Sequence, residues 1–414
     1  MRIKRILPYI FAFILLIGGL AAINKSIVKK DESQATVGGS SSHSQSLYES
    51  TFLLTEKDAS ERGTALKEES KALTETSERK SDPQKPEIID LGYTNSDVVL
   101  AFAGDINLSG EWENSPMRRY KRGENTIADF IDPKLVEKMQ KANILVVNNE
   151  FAFSNRGEKQ NKNYTFRADP ENVFVYKELG VDVATLANNH IYDYKREALL
   201  DTISTLKAAG ITPIGAGENI EEAKRAAYFK INGKVFAFVS AGRTESWFHT
   251  PAAGKNSAGI LDAYGTQNCI EAIKDAKKHS DYVFLCIHWG NEGSHQAAPE
   301  QLTNGKLYID AGADAVIGTH PHLLQGMEFY KGRFIAYSLG NFWFNMKNLQ
   351  TGLLELVISP DGKISPYFTP CQTKEGKTFV EKDETGRRQI FDLIESVSPG
   401  NRIRIDENSR VHEK

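Results

Sequence analysis

From Asp97 onward the chain repeats one plan: a short apolar run, a knot of polar residues at its end, then a stretch of helical character. Residues 98–103 lead into Gly104-Asp105-Ile106-Asn107, 144–147 into Asn148-Asn149-Glu150, and 183–186 into Ala187-Asn188-Asn189-His190. Residues 282–287 lead into His288-Trp289-Gly290, and 313–317 into Gly318-Thr319-His320-Pro321-His322. Apolar runs of this length predict strands. Between them, 133–142, 171–180, 196–209, 267–279 and 300–311 predict helices, several stopping at a glycine as a C-cap would. Asn232-Gly233, between the runs 228–231 and 235–240, predicts a hairpin that breaks the strand–helix alternation. Strand-like runs return at 334–337 and 353–358. The class expected is α/β with a mixed sheet.

The N-terminus has a different pattern. Arg2, Lys4 and Arg5 precede an uncharged stretch from Ile6 to Asn24, long enough to cross a bilayer as a helix. Basic residues ahead of the span favour a cytoplasmic N-terminus and an outward-facing remainder. Residues 1–24 are therefore expected to be an uncleaved signal anchor. A cleaved signal peptide is the competing reading, and Ala21-Ala22 gives it a poor cleavage site. Residues 25–96 are rich in Ser, Thr, Glu and Lys and include Gly38-Gly39-Ser40-Ser41-Ser42, the composition of a flexible or stalk-like linker. A folded domain is expected over 97–370, with 371–414 as a charged peripheral helix or tail, amphipathic around 390–397. The localisation expected is the cell membrane, single-pass, with the C-terminal domain extracellular.

Composition narrows the function. Among 414 residues, 40% are hydrophobic and 25% charged, enough for a sizeable core. The net charge of -3 argues against a nucleic-acid binder. Cys269, Cys286 and Cys371 show no CxxC spacing and form no disulfide framework; Cys286 sits in a strand-like run and reads as a small buried hydrophobe.

In open α/β sheets, ligands bind where loops leave the carboxyl ends of strands. Five such ends carry groups able to bind a metal: Asp105, Glu150, Asn189, His288, and the pair His320 and His322. A mixed oxygen and nitrogen set suits Zn, Mn or Fe rather than a thiolate-selective metal. If the run before the pair continues as a strand, His320 and His322 share one face of it. Each residue alone has a plainer explanation, as a turn residue, a surface charge or a satisfied core histidine. Their coincidence at five strand ends is what favours a site.

In this order, Ala103-Gly104-Asp105, Asn149-Glu150, Ala187-Asn188-Asn189-His190 with Asp193, His288-Trp289-Gly290 with Glu292, and Gly318-Thr319-His320-Pro321-His322 resemble the calcineurin-like metallophosphoesterase superfamily. More closely they resemble its bacterial capsule-synthesis branch, the CapA family of poly-γ-glutamate synthesis. Tyr337-Ser338-Leu339-Gly340-Asn341-Phe342 is a further match, and the motifs span roughly 97–359. The resemblance implies a four-layer α/β sandwich with mixed sheets. It also implies two divalent ions of Mn, Zn or Fe, one held by Asp105 and His322, the other by Asn189, His288 and His320, with Glu150 bridging. His190 would act as general acid or stabilise charge on the substrate, with Asp193 orienting it.

Two departures from the phosphatase pattern stand out. Asn107 replaces a histidine in the first motif, and Glu150 replaces a bridging aspartate. Glu292 and His295 are candidate replacement ligands or substrate contacts. Arg167, Arg243 and Asn341 are accessory candidates with positional support only. The basic run Arg118-Arg119-Tyr120-Lys121-Arg122 could hold an anionic polymer, although a solvated loop explains it equally well. Trp112, Trp247, Trp289 and Trp343 could form a polymer platform, but packing is the commoner role of aromatics near strand ends.

The leading expectation is a membrane-anchored, extracellular CapA-type protein acting in capsule or poly-γ-glutamate biosynthesis or export, with metal-dependent hydrolase chemistry. Its partners would be an anionic envelope polymer or precursor and other capsule synthesis or export proteins. A phosphodiesterase or phosphatase acting on an envelope polymer or lipid-linked precursor is the second reading. A non-catalytic polymer- or partner-binding domain is the third.

Overall fold

Along Val98–Ile106, Val98, Leu100 and Phe102 belong to one packing layer and Ala101 and Ala103 to another, as the pleat of a strand requires. A computed structural model describes residues 86–94, 96–244 and 249–414, and the same alternation sorts these residues into four layers. Leu100, Phe102, Val146, Phe238, Phe284 and Ile317 fill the space between two sheets. The ring of Phe102 lies 6.3 Å from those of both Phe238 and Phe284, joining the sheets at their centre. Fully burying one such side chain contributes about 1.5–3 kcal/mol.

The first sheet has eight strands. In spatial order they are Lys377–Val380, Ile364–Lys374, Leu349–Ile358, Val98–Ile106, Ile144–Asn149, Val183–Thr185 and Thr212–Ile214. The last four run parallel, and Asn341–Trp343 also pairs with Val98–Ile106. The second sheet has seven, in the order Ile88–Asp90, Ala227–Ile231, Lys234–Gly242, Tyr282–His288, Ala315–Thr319, Arg333–Ala336 and Met327–Tyr330. Its antiparallel hairpin turns at Asn232 and Gly233, with φ of 53° and 77°, the left-handed pair that Asn-Gly accommodates.

Helices cover the outer faces. Pro133–Lys141 starts on Asp132, whose side chain accepts the Lys134 N–H, and carries Leu135, Val136 and Met139 onto the first sheet. Phe174–Leu179 stops at Gly180, φ 77°, and Lys195–Ala208 lies on the same layer. Gln267–Lys278 and Pro299–Ala311 place Ala272, Ile273, Tyr308 and Ile309 against Val283 and Leu285 of the second sheet. Cys269, Cys286 and Cys371 are free and buried, Cys286 in the layer between the sheets.

The expected boundaries move at both ends. Ile88–Asp90, inside the stretch assigned to the linker, pairs with Ala227–Ile231, so the fold starts before Asp97. A three-residue edge strand with exposed isoleucines carries too little periodicity to be read from sequence. Position 370 falls within Ile364–Lys374 rather than at a boundary. Beyond it, Glu384–Val397 inserts Ile390, Phe391 and Ile394 into the layer between the sheets, beside Ile403, Ile405 and Val411. The C-terminal segment is thus part of the core and not a tail. The expected anchor at 1–24 and most of the linker lie outside the described residues. Among the described residues no helix is long and apolar enough to cross a membrane.

At the edge of the sheets opposite the polar strand ends, Asp182 accepts the Leu145 N–H through Oδ2 at 2.8 Å. Burial pushes its carboxyl up from 3.8 to about 6, with that hydrogen bond opposing. The folded state therefore holds this proton more tightly than the unfolded chain. Its stabilising effect is complete below about pH 4 and is lost as pH rises through 6. Asp182→Asn, which keeps the acceptor, should flatten the urea midpoint across this window, a difference of at most about 3 kcal/mol.

Candidate metal centre

The carboxyl ends of parallel strands from both sheets converge on one spot. Asp105 is the penultimate residue of Val98–Ile106, Glu150 follows Ile144–Asn149, His288 closes Tyr282–His288, and His320 follows Ala315–Thr319. Close backbone packing makes the convergence possible. A Cβ on Gly104 would meet Gly340 O at 1.9 Å, and one on Gly318 would meet Tyr337 O at 2.0 Å. Gly104→Ala or Gly318→Ala should each cost about 1–3 kcal/mol by overpacking, read as a lower denaturation midpoint.

The strand does not continue through the histidine pair. It ends at Thr319, and His320 and His322 have φ of 98° and 60°. The pair therefore does not share one face of an extended segment; it sits in a left-handed loop that aims the two rings apart. Such conformations cost on the order of 1–3 kcal/mol each and persist where surrounding structure enforces them.

The rings go to different neighbours. His320 Nδ1 lies 2.9 Å from His288 Nε2, which is itself 2.8 Å from Asn189 Oδ1 and 3.6 Å from Glu150 Oε1. His322 Nδ1 lies 3.2 Å from Asp105 Oδ2 and 2.8 Å from Asn341 Oδ1. Glu150, His288 and His320 can each offer a ligand atom within 4.8 Å of the others, and so can Asp105, Glu150 and His322. Glu150 is common to both groups.

The electrostatics are those of a site lacking positive charge. Burial, then the Asp105 carboxylate, pushes the Glu150 carboxyl well up. Burial, then the neighbouring imidazoles, holds His288 and His320 well below the usual histidine range. Burial pulls His322 down too, but the hydrogen bond and charge of Asp105 outweigh it and leave its pKa raised. Glu150 Oε1 is buried without a hydrogen-bond partner. Two buried acidic side chains together and an orphaned oxygen are costly. A divalent cation removes each of those costs, so the donor set fits one.

His190 stands beside this cluster. Its Nδ1 is 2.7 Å from Asp193 Oδ2, its ring packs 4.2 Å from that of Phe166, and burial lowers its pKa against the pull of Asp193. Nδ1 is thus the ring nitrogen turned to Asp193.

The accessory candidates divide. Asn107 Oδ1 accepts the Ser109 N–H at 2.8 Å in a local turn, and its Nδ2 is buried without a hydrogen-bond partner. Asn341 instead orients His322. His295 Nδ1 donates to Leu324 O at 2.7 Å, and Glu292 is exposed while its charge reaches Glu150 and His322. Arg167 pairs with Glu111 at 2.8 Å and lies 4.2 Å over the Tyr194 ring. Arg243 donates to Gly290 O and stacks on Tyr264. In the basic run, Arg122 and Lys121 pair with Glu171 and Glu124 at the surface. Trp289 and Trp343 are core residues, Trp112 packs among Tyr164, Phe166 and Phe344, and Trp247 lies outside the described residues.

Four residues escaped the sequence reading. Asn148 Nδ2 donates to Asp105 Oδ1 at 2.8 Å and to Glu150 Oε2 at 3.3 Å, and its Oδ1 accepts from Thr185 and Asn188. Strand alternation could have found it, since Asn148 and Glu150 are two apart. Thr319 Oγ1 is 3.0 Å from His288 Nδ1. Asn188 Oδ1 accepts the His190 and Ile191 N–H groups and so shapes the turn. Lys162, 2.5 Å from Asp193 Oδ1, lies in a polar stretch with no periodic signal at all.

The fold and the cluster define a class: an α/β protein of two packed mixed sheets with a carboxylate–histidine–asparagine centre where their parallel strands end. Residues 99–346, more than half of the chain, match the family profile described as bacterial capsule synthesis protein PGA_cap. The PGA biosynthesis protein CapA of Bacillus subtilis (strain 168) is 30% identical over 308 residues, covering 72% of this chain and 78% of that protein. The capsule biosynthesis protein CapA of Bacillus anthracis is 35% identical over 252 residues, covering 59% of this chain and 60% of that protein, less than two thirds of its length. The chain belongs to the bacterial capsule synthesis protein family PGA_cap, with these CapA proteins as relatives. Among solved structures, Haemophilus influenzae NAD nucleotidase aligns with a TM-score of 0.39 and 15% identity, over 72% of this chain and 62% of that one. That likeness is too slight to bear on activity.

Proposed function

We propose that this protein acts in capsule or poly-γ-glutamate biosynthesis or export from the outer face of the cell membrane, anchored by residues 1–24, as a metal-dependent phosphoesterase. Its substrate class is an anionic envelope polymer or a lipid-linked precursor of one. The observation that carries the reading is the pair of ligand groups sharing Glu150, with His190 beside them.

Asp105 and His322 would hold one divalent ion, Asn189, His288 and His320 the other, with Glu150 between them. Two divalent ions held there would supply Lewis-acid polarisation of a phosphoryl group and a more acidic water. The protein's own residues do the rest. Thr319 Oγ1 can accept from His288 Nδ1–H, which leaves the Nε2 lone pair directed into the cluster. Asn341 does the same service for His322. Asp193 accepts the Nδ1–H of His190 and fixes the ring, so that Nε2, once the ring has taken up a proton, can deliver it to a leaving oxygen. Phe166 and Phe344 pack against His190 and His322 and limit water around both rings.

The test is hydrolysis of bis(p-nitrophenyl) phosphate by the purified full-length protein after reconstitution with Mn, Zn or Fe. Metal-dependent cleavage is expected. Metal binding without cleavage, combined with capsule formation in cells that still needs His190, would reassign the substrate. Cleavage unaffected by removing metal would overturn the reading.

A further inference from the structure

Between Ala152–Phe153 and Arg167–Ala168 the chain has no regular structure, yet it delivers one ammonium group to the interior. The Lys162 side chain is 10% exposed, and its Nζ lies 2.5 Å from Oδ1 of the fully buried Asp193. It also donates to Asn189 O at 2.7 Å. The other oxygen of Asp193 is taken: Oδ2 accepts the Phe166 N–H at 2.6 Å and faces His190 Nδ1 at 2.7 Å. Asn189 in turn sets its Oδ1 2.8 Å from His288 Nε2. One cation thus touches both the carboxylate that orients His190 and the backbone of a residue in the cluster.

We propose that Lys162 is a positioning residue that fixes His190 relative to the metal cluster; this rests on the reading in which His190 is the general acid. Holding the loop in place does not require it. Gln160 already ties that stretch down, its amide donating to Tyr192 O and His249 O and its backbone N–H to Asp193 O. An exposed lysine would serve as a staple equally well, without the cost of desolvating an ammonium. What the buried one adds is a second anchor on Asp193. With Oδ1 ion-paired to the ammonium and Oδ2 held by the Phe166 N–H, the carboxylate is engaged at both oxygens, and Oδ2 faces His190. The bond to Asn189 O holds the loop that presents both Asn189 and His190.

The test is a double-substitution cycle in the full-length protein with Lys162→Met and His190→Ala. Lys162→Met is expected to lower kcat about 10–100-fold, as supporting partners of a metal site do, with KM and metal content unchanged. In the His190→Ala background the same substitution should change kcat less than about twofold, because residues acting as a unit are not additive. An equal loss in both backgrounds, or a loss that follows metal content or KM, overturns the proposal. Asp193→Asn is expected to show the same pattern and replaces Lys162→Met if that variant does not fold. A wild-type protein that cleaves no phosphoester would refute the enzymatic reading instead. The positioning is then read from the imidazole 15N signals of His190, which Lys162→Met should shift; unchanged signals overturn it.

Discussion

Replacing His190 with alanine is expected to lower phosphodiester turnover by about 10²–10⁴-fold, the usual contribution of a positioned general acid. Bound metal should not change, because the imidazole is turned to Asp193 rather than into either ligand group. The substitution opens a small space beside Phe166 and leaves Asp193 with Lys162 as its partner, so the fold should survive with a modest loss. Elemental analysis and steady-state kinetics on one preparation check both halves. Loss of metal together with activity would make His190 part of the cluster's support; retained activity would remove it from the chemistry.

Glu150→Gln should act in the opposite way on metal and on stability. Glu150 is fully buried beside Asp105, and its Oε1 has no hydrogen-bond partner. Without metal, burial and the Asp105 charge penalise ionisation of Glu150, and glutamine removes that penalty at nearly constant volume. The metal-free variant should therefore melt higher than metal-free wild type. With metal the order should reverse. A ligand at 100 times its Kd stabilises the native state by about 2.7 kcal/mol, and losing the residue common to both groups should remove most of that. Affinity is expected to fall by at least about 100-fold, the upper range seen for mere supporting residues. Calorimetric melting with and without Mn or Zn gives both numbers. Equal metal-induced shifts in the two proteins would mean that Glu150 touches no metal.

The legible part of the molecule was the part with periodic or positional signal. The predicted helix at 133–142 lies on Pro133–Lys141, capped by Asp132, and that at 267–279 on Gln267–Lys278, where apolar spacing alone carries it. The five strand ends named from sequence do come together, since parallel strands in packed sheets deliver their last residues to one edge. What stayed hidden has physical causes. The positive φ at His320 and His322, just past a strand that ends at Thr319, is not something histidine propensity announces. The Asn107 turn, in which its oxygen accepts a backbone N–H two residues on, carries no signal beyond the residue type. Lys162 lies 28 residues before His190, in a stretch that no pattern links to it. The C-terminal helix read as peripheral because a charged segment with one apolar stripe does not announce which groove will receive Ile390, Phe391 and Ile394.

The most direct measurement is the metal count of the full-length protein after reconstitution and removal of free ions, by elemental analysis. Asp105, Glu150 and His322 on one side and Glu150, His288 and His320 on the other predict two divalent ions per chain, both lost in Glu150→Ala. One ion or none in the wild-type protein would contradict the shared two-ion centre.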